Sequence, residues 1–144
     1  ARLATAWERL APWPDSVPGL TVLKDHAIIA PCSNGSIALM TRLAKFGGLP
    51  WDCILGAEIA RAYKPDPRVY LGCAAALRLD PGEVIMVAAQ KGDLHAARQA
   101  GLMTAFLARP TEHGPGQATD LAPDGPWDVV AKDLLDLAAI VGRA

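Results

Sequence analysis

Apolar positions recur along this chain with two periods, and each change of period marks an element boundary. Residues 2–10 place Leu3, Ala6, Trp7 and Leu10 on one helical face. Pro12, Pro14 and Pro18 then forbid that helix from continuing, since a proline lacks the N–H and its ring clashes with the preceding turn. Residues 20–23 read as the end of a short helix. Residues 27–30, Ala-Ile-Ile-Ala, form an unbroken apolar run, the pattern of a strand buried on both faces of a parallel sheet. A helix follows over 36–46, with Ile37, Leu39, Met40, Leu43, Ala44 and Phe46 at helical spacing, stopped by Gly47, Gly48 and Pro50. A second short strand is expected at 53–55 and a helix at 67–79, with Pro67 in the first turn, where its missing N–H costs little. Asp80-Pro-Gly82 is a turn signal before the clearest strand of the chain, 83–89. Residues 93–99 read as a short helix ended by Gly101, and 103–108 as another strand. The stretch 109–127, rich in Pro, Gly and polar residues, reads as an exposed loop, followed by a minimal edge strand at 128–131 and a helix at 134–141. This alternation predicts an α/β fold, a doubly wound parallel sheet with right-handed crossovers and a ligand site at the carboxyl ends of its strands.

Composition narrows the function classes. The 144 residues make one domain's worth of chain, 51% apolar and 20% charged, the balance of a globular protein. A net charge of −1 gives no field to gather polyanions or an anionic surface, so neither nucleic acid nor membrane is an expected partner. No apolar run approaches the ~18–20 residues of a bilayer span, and the amino end lacks the charged, apolar and small-residue order of a signal peptide. A cytoplasmic protein is expected. Cys32, Cys53 and Cys73 include no Cys-x-x-Cys pair, so they suggest neither a disulfide framework nor zinc and are expected as small buried hydrophobes. His95 and His113 stand apart and are expected on the surface. No metal or other cofactor is expected.

Chemistry concentrates at three strand-to-helix turns: Cys32-Ser-Asn-Gly-Ser36, Tyr63-Lys-Pro-Asp-Pro67, and the segment from Val87-Ala-Ala-Gln-Lys-Gly-Asp93 to Gly101. Taken singly, each has a plain structural reading. Ser, Asn and Gly are common turn formers, Lys64-Pro-Asp-Pro67 is an extended approach to a helix, and Asp93 suits an N-cap. Together they are more specific, because Ser33 to Lys64 and Lys64 to Asp93 are each about 30 residues apart, one βα unit apiece.

In this order the three motifs resemble the haloacid dehalogenase superfamily, and specifically its metal-free L-2-haloacid (type II) dehalogenases. The resemblance implies that a carboxylate attacks a 2-haloacid substrate, displaces halide and leaves an ester that water hydrolyses. It gives Lys64 the task of holding the nucleophilic carboxylate ionised, and Ser33 a hydrogen bond to substrate carboxylate or nucleophile. It directs the Asn34 amide toward the departing halide, has Asp93 orient or deprotonate the hydrolytic water, and places Tyr70 near the site, although a core aromatic is an equal reading. Gln90 stands where such dehalogenases carry His or Asn, and keeps an amide but no titration near neutrality. Ala88-Ala89 stands where the phosphatases of the superfamily carry acidic residues for Mg²⁺, which fits a site without metal.

The superfamily also begins with a strand bearing a nucleophilic Asp and an Asp/Tyr-Gly-Thr turn, for which these residues offer no match. Asp25 and Asp52 are not followed by Gly-Thr. The resemblance therefore assigns 1–19 to the end of a cap region and linker, and 20–144 to the carboxyl-terminal part of a Rossmann-like core, incomplete without its N-terminal strand and cap. Residues 1–144 alone are expected to be unstable, or to be a piece of a longer or complemented polypeptide whose missing segment is their partner. Homodimers are common in the family. The rival readings are a phosphatase of the same superfamily and a non-catalytic remnant that binds a carboxylate or a partner chain, with a thiol enzyme using Cys32 a more distant alternative.

Overall fold

The computed structural model describes residues 5–144. The elements alternate: α1 (Ser16–Lys24), β1 (Cys32–Ser33), α2 (Ile37–Gly47), β2 (Leu55–Gly56), α3 (Ala57–Ala60), α4 (Pro67–Ala76), β3 (Ile85–Ala88), α5 (Lys91–Gln99), β4 (Met103–Leu107), β5 (Val129–Ala131) and α6 (Leu134–Arg143). Ala6–Arg9 and Pro81–Glu83 are single 3₁₀ turns. The amino-terminal helix expected at 2–10 is thus only a turn where it is described, and residues 1–4 lie outside the described residues. No helix among the described residues is long and apolar enough to cross a membrane.

All strand pairs are parallel, as the alternation requires, but the sheet is in two pieces. β1 pairs with β2, and β3-β4-β5 form a separate three-stranded sheet. The strand expected at 27–30 lies a little further on. Ile29 still runs beside Asp52, donating its N–H to the Asp52 carboxylate at 2.9 Å and accepting from the Asp52 N–H on its carbonyl at 2.9 Å. Pro31 has no N–H to give to a ladder, so regular pairing starts only at Cys32. Burial on both faces does not hold there either, since Ile28 is 58% exposed.

Helix ends follow local chemistry. Ser36 caps α2 by accepting from the Leu39 N–H at 3.1 Å, and Gly48, at φ 69°, closes it in the left-handed conformation that glycine adopts without strain. Asp66 caps α4, with Pro67 at its first position, and Asp133 caps α6. α1 starts before the expected 20–23 and carries Pro18 in its first turn, where no intrahelical N–H is required. Between α1 and α6, Leu20, Leu23, Leu137 and Ala138 pack with Ala105, Leu107 and Ala131 from the sheet. On the other side Tyr70, Met86, Leu94, Ala97, Leu102 and Phe106 form a second cluster, against which Cys32 of β1 and Ala88 of β3 both pack. β1 and β3 therefore flank one core without a ladder between them.

Candidate functional site

Two loops and two helices converge at the carboxyl ends of β1 and β3. Lys64, in the turn before α4, reaches the Asp93 carboxylate with Nζ 2.6 Å from Oδ2. Tyr70, on the first turns of α4, donates its phenol to the other oxygen, Oδ1, at 2.5 Å. Both oxygens of Asp93 are thus held, by a cation and by a neutral donor, and each retains a lone pair for a further donor such as water. Lys64 and Asp93 side chains are only 19% and 13% exposed, so the pair is screened far less than a surface ion pair. Burial first, and then the bond to Asp93, pushes the Tyr70 phenol well above its ordinary value, so it remains a donor at any working pH.

Asp93 sits in the first turn of α5 rather than capping it. Gln90 is the N-cap residue, without a side-chain cap bond. The helix begins at Lys91, earlier than the sequence suggests, because the 109–127 loop supplies the missing acceptor: Asp120 Oδ1 takes the Lys91 N–H at 3.0 Å, and Asp124 pairs with Lys91 Nζ at 2.6 Å. Farther along α5, the His95 ring lies 4.8 Å from Trp127. Those loop contacts fix where α5 starts, and with it the aim of Asp93.

Asn34 is tied to the same turn by its backbone. Its Oδ1 accepts the Lys64 N–H at 2.7 Å, and its Nδ2 lies 3.4 Å from the Lys64 carbonyl, so one amide spans both polar groups of that residue. The Lys64–Pro65 peptide is cis. Ser33 Oγ accepts the Gly35 N–H at 3.0 Å, which closes the Ser-Asn-Gly turn, and the hydroxyl proton remains free to point elsewhere. Gln90 is exposed at the start of α5. The structure thus joins Lys64, Asp93 and Tyr70 directly, ties Asn34 to them through backbone, and places Ser33 and Gln90 at the adjoining strand ends.

Other participants were not visible in the sequence. Glu58 accepts the Ile37 N–H at 2.5 Å and so steadies the start of α2 beside Ser36. Asn34, Gly35, Ser36, Glu58, Arg61 and Tyr63 line an open cavity of about 360 Å³ next to the Lys64 turn. The cysteines depart from expectation, since only Cys73 is buried while Cys32 and Cys53 are partly so. Cys32 and Cys73 touch, Sγ to Sγ 3.5 Å, across 41 residues of sequence. His95 and His113 are exposed, as expected, and no group of three His, Cys, Asp or Glu among the described residues is placed to hold a metal ion.

The model of one family, the haloacid dehalogenase-like hydrolases, matches residues 1–101. A curated relative, the (S)-2-haloacid dehalogenase 4A of Burkholderia cepacia, is 29% identical over 150 residues, covering 95% of this chain and 63% of its own length. The crystal structure of a defluorinating L-2-haloacid dehalogenase superposes with a TM-score of 0.96 and 57% identity, over 99% of this chain and 58% of that one. The L-2-haloacid dehalogenase of Xanthobacter autotrophicus, solved with chloropropionic acid covalently bound, gives 0.83 and 25%, over 99% of this chain and 65% of that one. The chain spans about three-fifths of the length of these proteins.

Proposed function

The chain belongs to the haloacid dehalogenase-like hydrolase family, and from that premise we propose that it forms most of the Rossmann-like core of an enzyme that hydrolyses short 2-haloalkanoic acids to 2-hydroxy acids. The observation that carries this reading is the Tyr70–Asp93–Lys64 chain at the strand ends, beside Ala88 and Ala89 where a metal-dependent relative would need carboxylates. Relatives named as 2-haloacid dehalogenases, one of them with a covalently bound chloropropionic acid, support it.

In this mechanism a carboxylate outside the described residues attacks C2 of the substrate, and the carbon–halogen bond breaks as the carbon–oxygen bond forms. We place that carboxylate on a strand between β1 and β3, because each has one neighbour among the described residues and both pack on the same core cluster. Such a strand would complete both ladders and satisfy their open backbone groups. Lys64 has donors beyond the one given to Asp93, and would keep the attacking carboxylate ionised. Ser33 and the second N–H of Asn34 would hold the substrate carboxylate and the departing halide. In the second step Asp93, held by Lys64 and Tyr70, accepts a proton from water as that water attacks the ester, and the 2-hydroxy acid leaves.

The test is halide and lactate release from 2-chloropropionate by the whole protein, with and without Mg²⁺, alongside phosphate release from phosphoglycolate. Halide release that Mg²⁺ does not change supports the proposal. Phosphate release that requires Mg²⁺ would replace it with the phosphatase, and neither product would leave the non-catalytic reading standing.

A further inference from the structure

Cys32 and Cys73 come from distant parts of the chain and meet beside the site. Cys32 is on β1, immediately before Ser33, and Cys73 is on the buried face of α4, one turn after Tyr70. Their sulfurs are 3.5 Å apart, and Cys73 is 8% exposed. A buried methyl-sized pair would satisfy packing alone, yet the surroundings also favour ionisation of one member. Contact with the Cys32 sulfur pulls the Cys73 thiol below its ordinary value against the opposing effect of burial, aided by the Lys64 charge and the Gly56 backbone. Cys32 is pushed up in turn, first by that same contact and then by burial. A thiolate is the species that hydroperoxides oxidise.

We propose that Cys32 and Cys73 form a reversible disulfide when the protein meets hydrogen peroxide or an organic hydroperoxide, and that this bond switches the site off. The Cys73 thiolate attacks the distal peroxide oxygen, the O–O bond breaks, and the sulfur becomes a sulfenic acid while the expelled hydroxide or alkoxide takes a proton from solvent and leaves as water or an alcohol. The Cys32 sulfur then attacks the sulfenic sulfur, and the expelled hydroxide takes the Cys32 proton and leaves as water. A dithiol reverses the bond by exchange.

The effect on the site follows from geometry. Forming a bond of about 2.05 Å from a 3.5 Å contact brings the two sulfurs about 1.5 Å closer, a movement shared between the cysteine side chains and the β1 and α4 backbones that carry them. Ser33 adjoins one end of that bond. Tyr70 lies three residues from the other, on the same helical face, and is bonded to Asp93. A displacement near 1 Å at such a site costs about 100-fold in rate, and that is the loss expected on oxidation. This second half rests on the dehalogenase reading, whereas the disulfide itself does not.

The experiment treats the whole reduced protein with hydrogen peroxide, alkylates the remaining free thiols, maps the peptides, and measures 2-chloropropionate turnover before oxidation, after it, and after dithiothreitol. The expected result is a Cys32–Cys73 cross-linked peptide, alkylation confined to Cys53, and about 100-fold loss of turnover that dithiothreitol restores. Cys32→Ala and Cys73→Ala should each abolish the cross-link and make turnover insensitive to brief peroxide, and the more exposed Cys32 position serves if the Cys73 variant does not fold. Alkylation of all three cysteines after peroxide, or a cross-link through Cys53, overturns the proposal. A Cys32–Cys73 cross-link with undiminished turnover overturns the switch. A protein that cross-links as expected but releases no halide even when reduced confirms the disulfide and counts against the dehalogenase reading instead.

Discussion

Tyr70→Phe isolates one bond at the centre of the site. The Tyr70 ring is fully buried in the α4 cluster, and Phe keeps its volume and rotamers, so packing is almost unchanged. What is lost is the phenol donor 2.5 Å from Asp93 Oδ1, while Lys64 still holds Oδ2 at 2.6 Å. A hydrogen bond to a charged group is worth about 1.5–3 kcal/mol. If that bond aims the carboxylate that takes the proton from water, its loss slows ester hydrolysis about 10- to 100-fold, at 1.36 kcal/mol per tenfold. The carbon–halogen displacement does not use Asp93 and should change little. Rapid-quench kinetics on 2-chloropropionate would then give a full burst of halide, one per site, followed by a slow steady state. Equal slowing of burst and steady state, or unchanged kinetics in a folded variant, would refute the role given to this bond.

Three further substitutions have expected outcomes. Asp15, 12% exposed, accepts from Arg109 at 2.7 Å and from the Leu134 N–H at 2.8 Å, and Arg109 also lies over Trp13 at 5.0 Å. Asp15→Ala should therefore cost about 2–4 kcal/mol in urea denaturation. Burial raises the Asp15 carboxyl, but the Arg109 bond, the Leu134 N–H and the Arg109 charge together hold it below its ordinary 3.8. A depressed carboxyl stabilises the fold above its ordinary value and loses that contribution as pH falls through the folded-state value, so the gap between wild type and Asp15→Ala should close below about pH 4. Leu94→Ala, at a fully buried position of α5, should cost about 2–5 kcal/mol by the same denaturation measurement. Asn34→Ala removes the amide that spans the Lys64 backbone and should reduce kcat/KM for 2-chloropropionate about 10-fold or more, through a loosened Lys64 turn, with less effect on stability.

The order of elements was legible because each change of apolar period coincides with a chemical stop signal. Ser36, Gly48, Asp66-Pro67 and Asp133 bound helices by local chemistry alone, so their ends fell where expected within a few residues. Where a distant group supplies the missing bond, the sequence is silent. α5 starts at Lys91 because Asp120 caps it from a loop about 30 residues on, and β1 starts at Cys32 because Pro31 cannot join the ladder. The site was legible as three motifs one βα unit apart, a spacing that an α/β sheet converts into proximity. The detailed bonding was not. Nothing local assigns the Asn34 amide to the Lys64 backbone, or brings Cys32 to Cys73, since both contacts depend on how α4 lies against β1.

The central claim is that this site hydrolyses a covalent ester, with Asp93 serving the water step. The most direct test is intact-mass and peptide analysis of the whole protein carrying Asp93→Asn, quenched after mixing with 2-chloropropionate. The account predicts halide release limited to one per site and an adduct with the mass of the substrate less its halide, on a carboxylate outside residues 5–144. Continued turnover without adduct, or an adduct on Cys32, would contradict it.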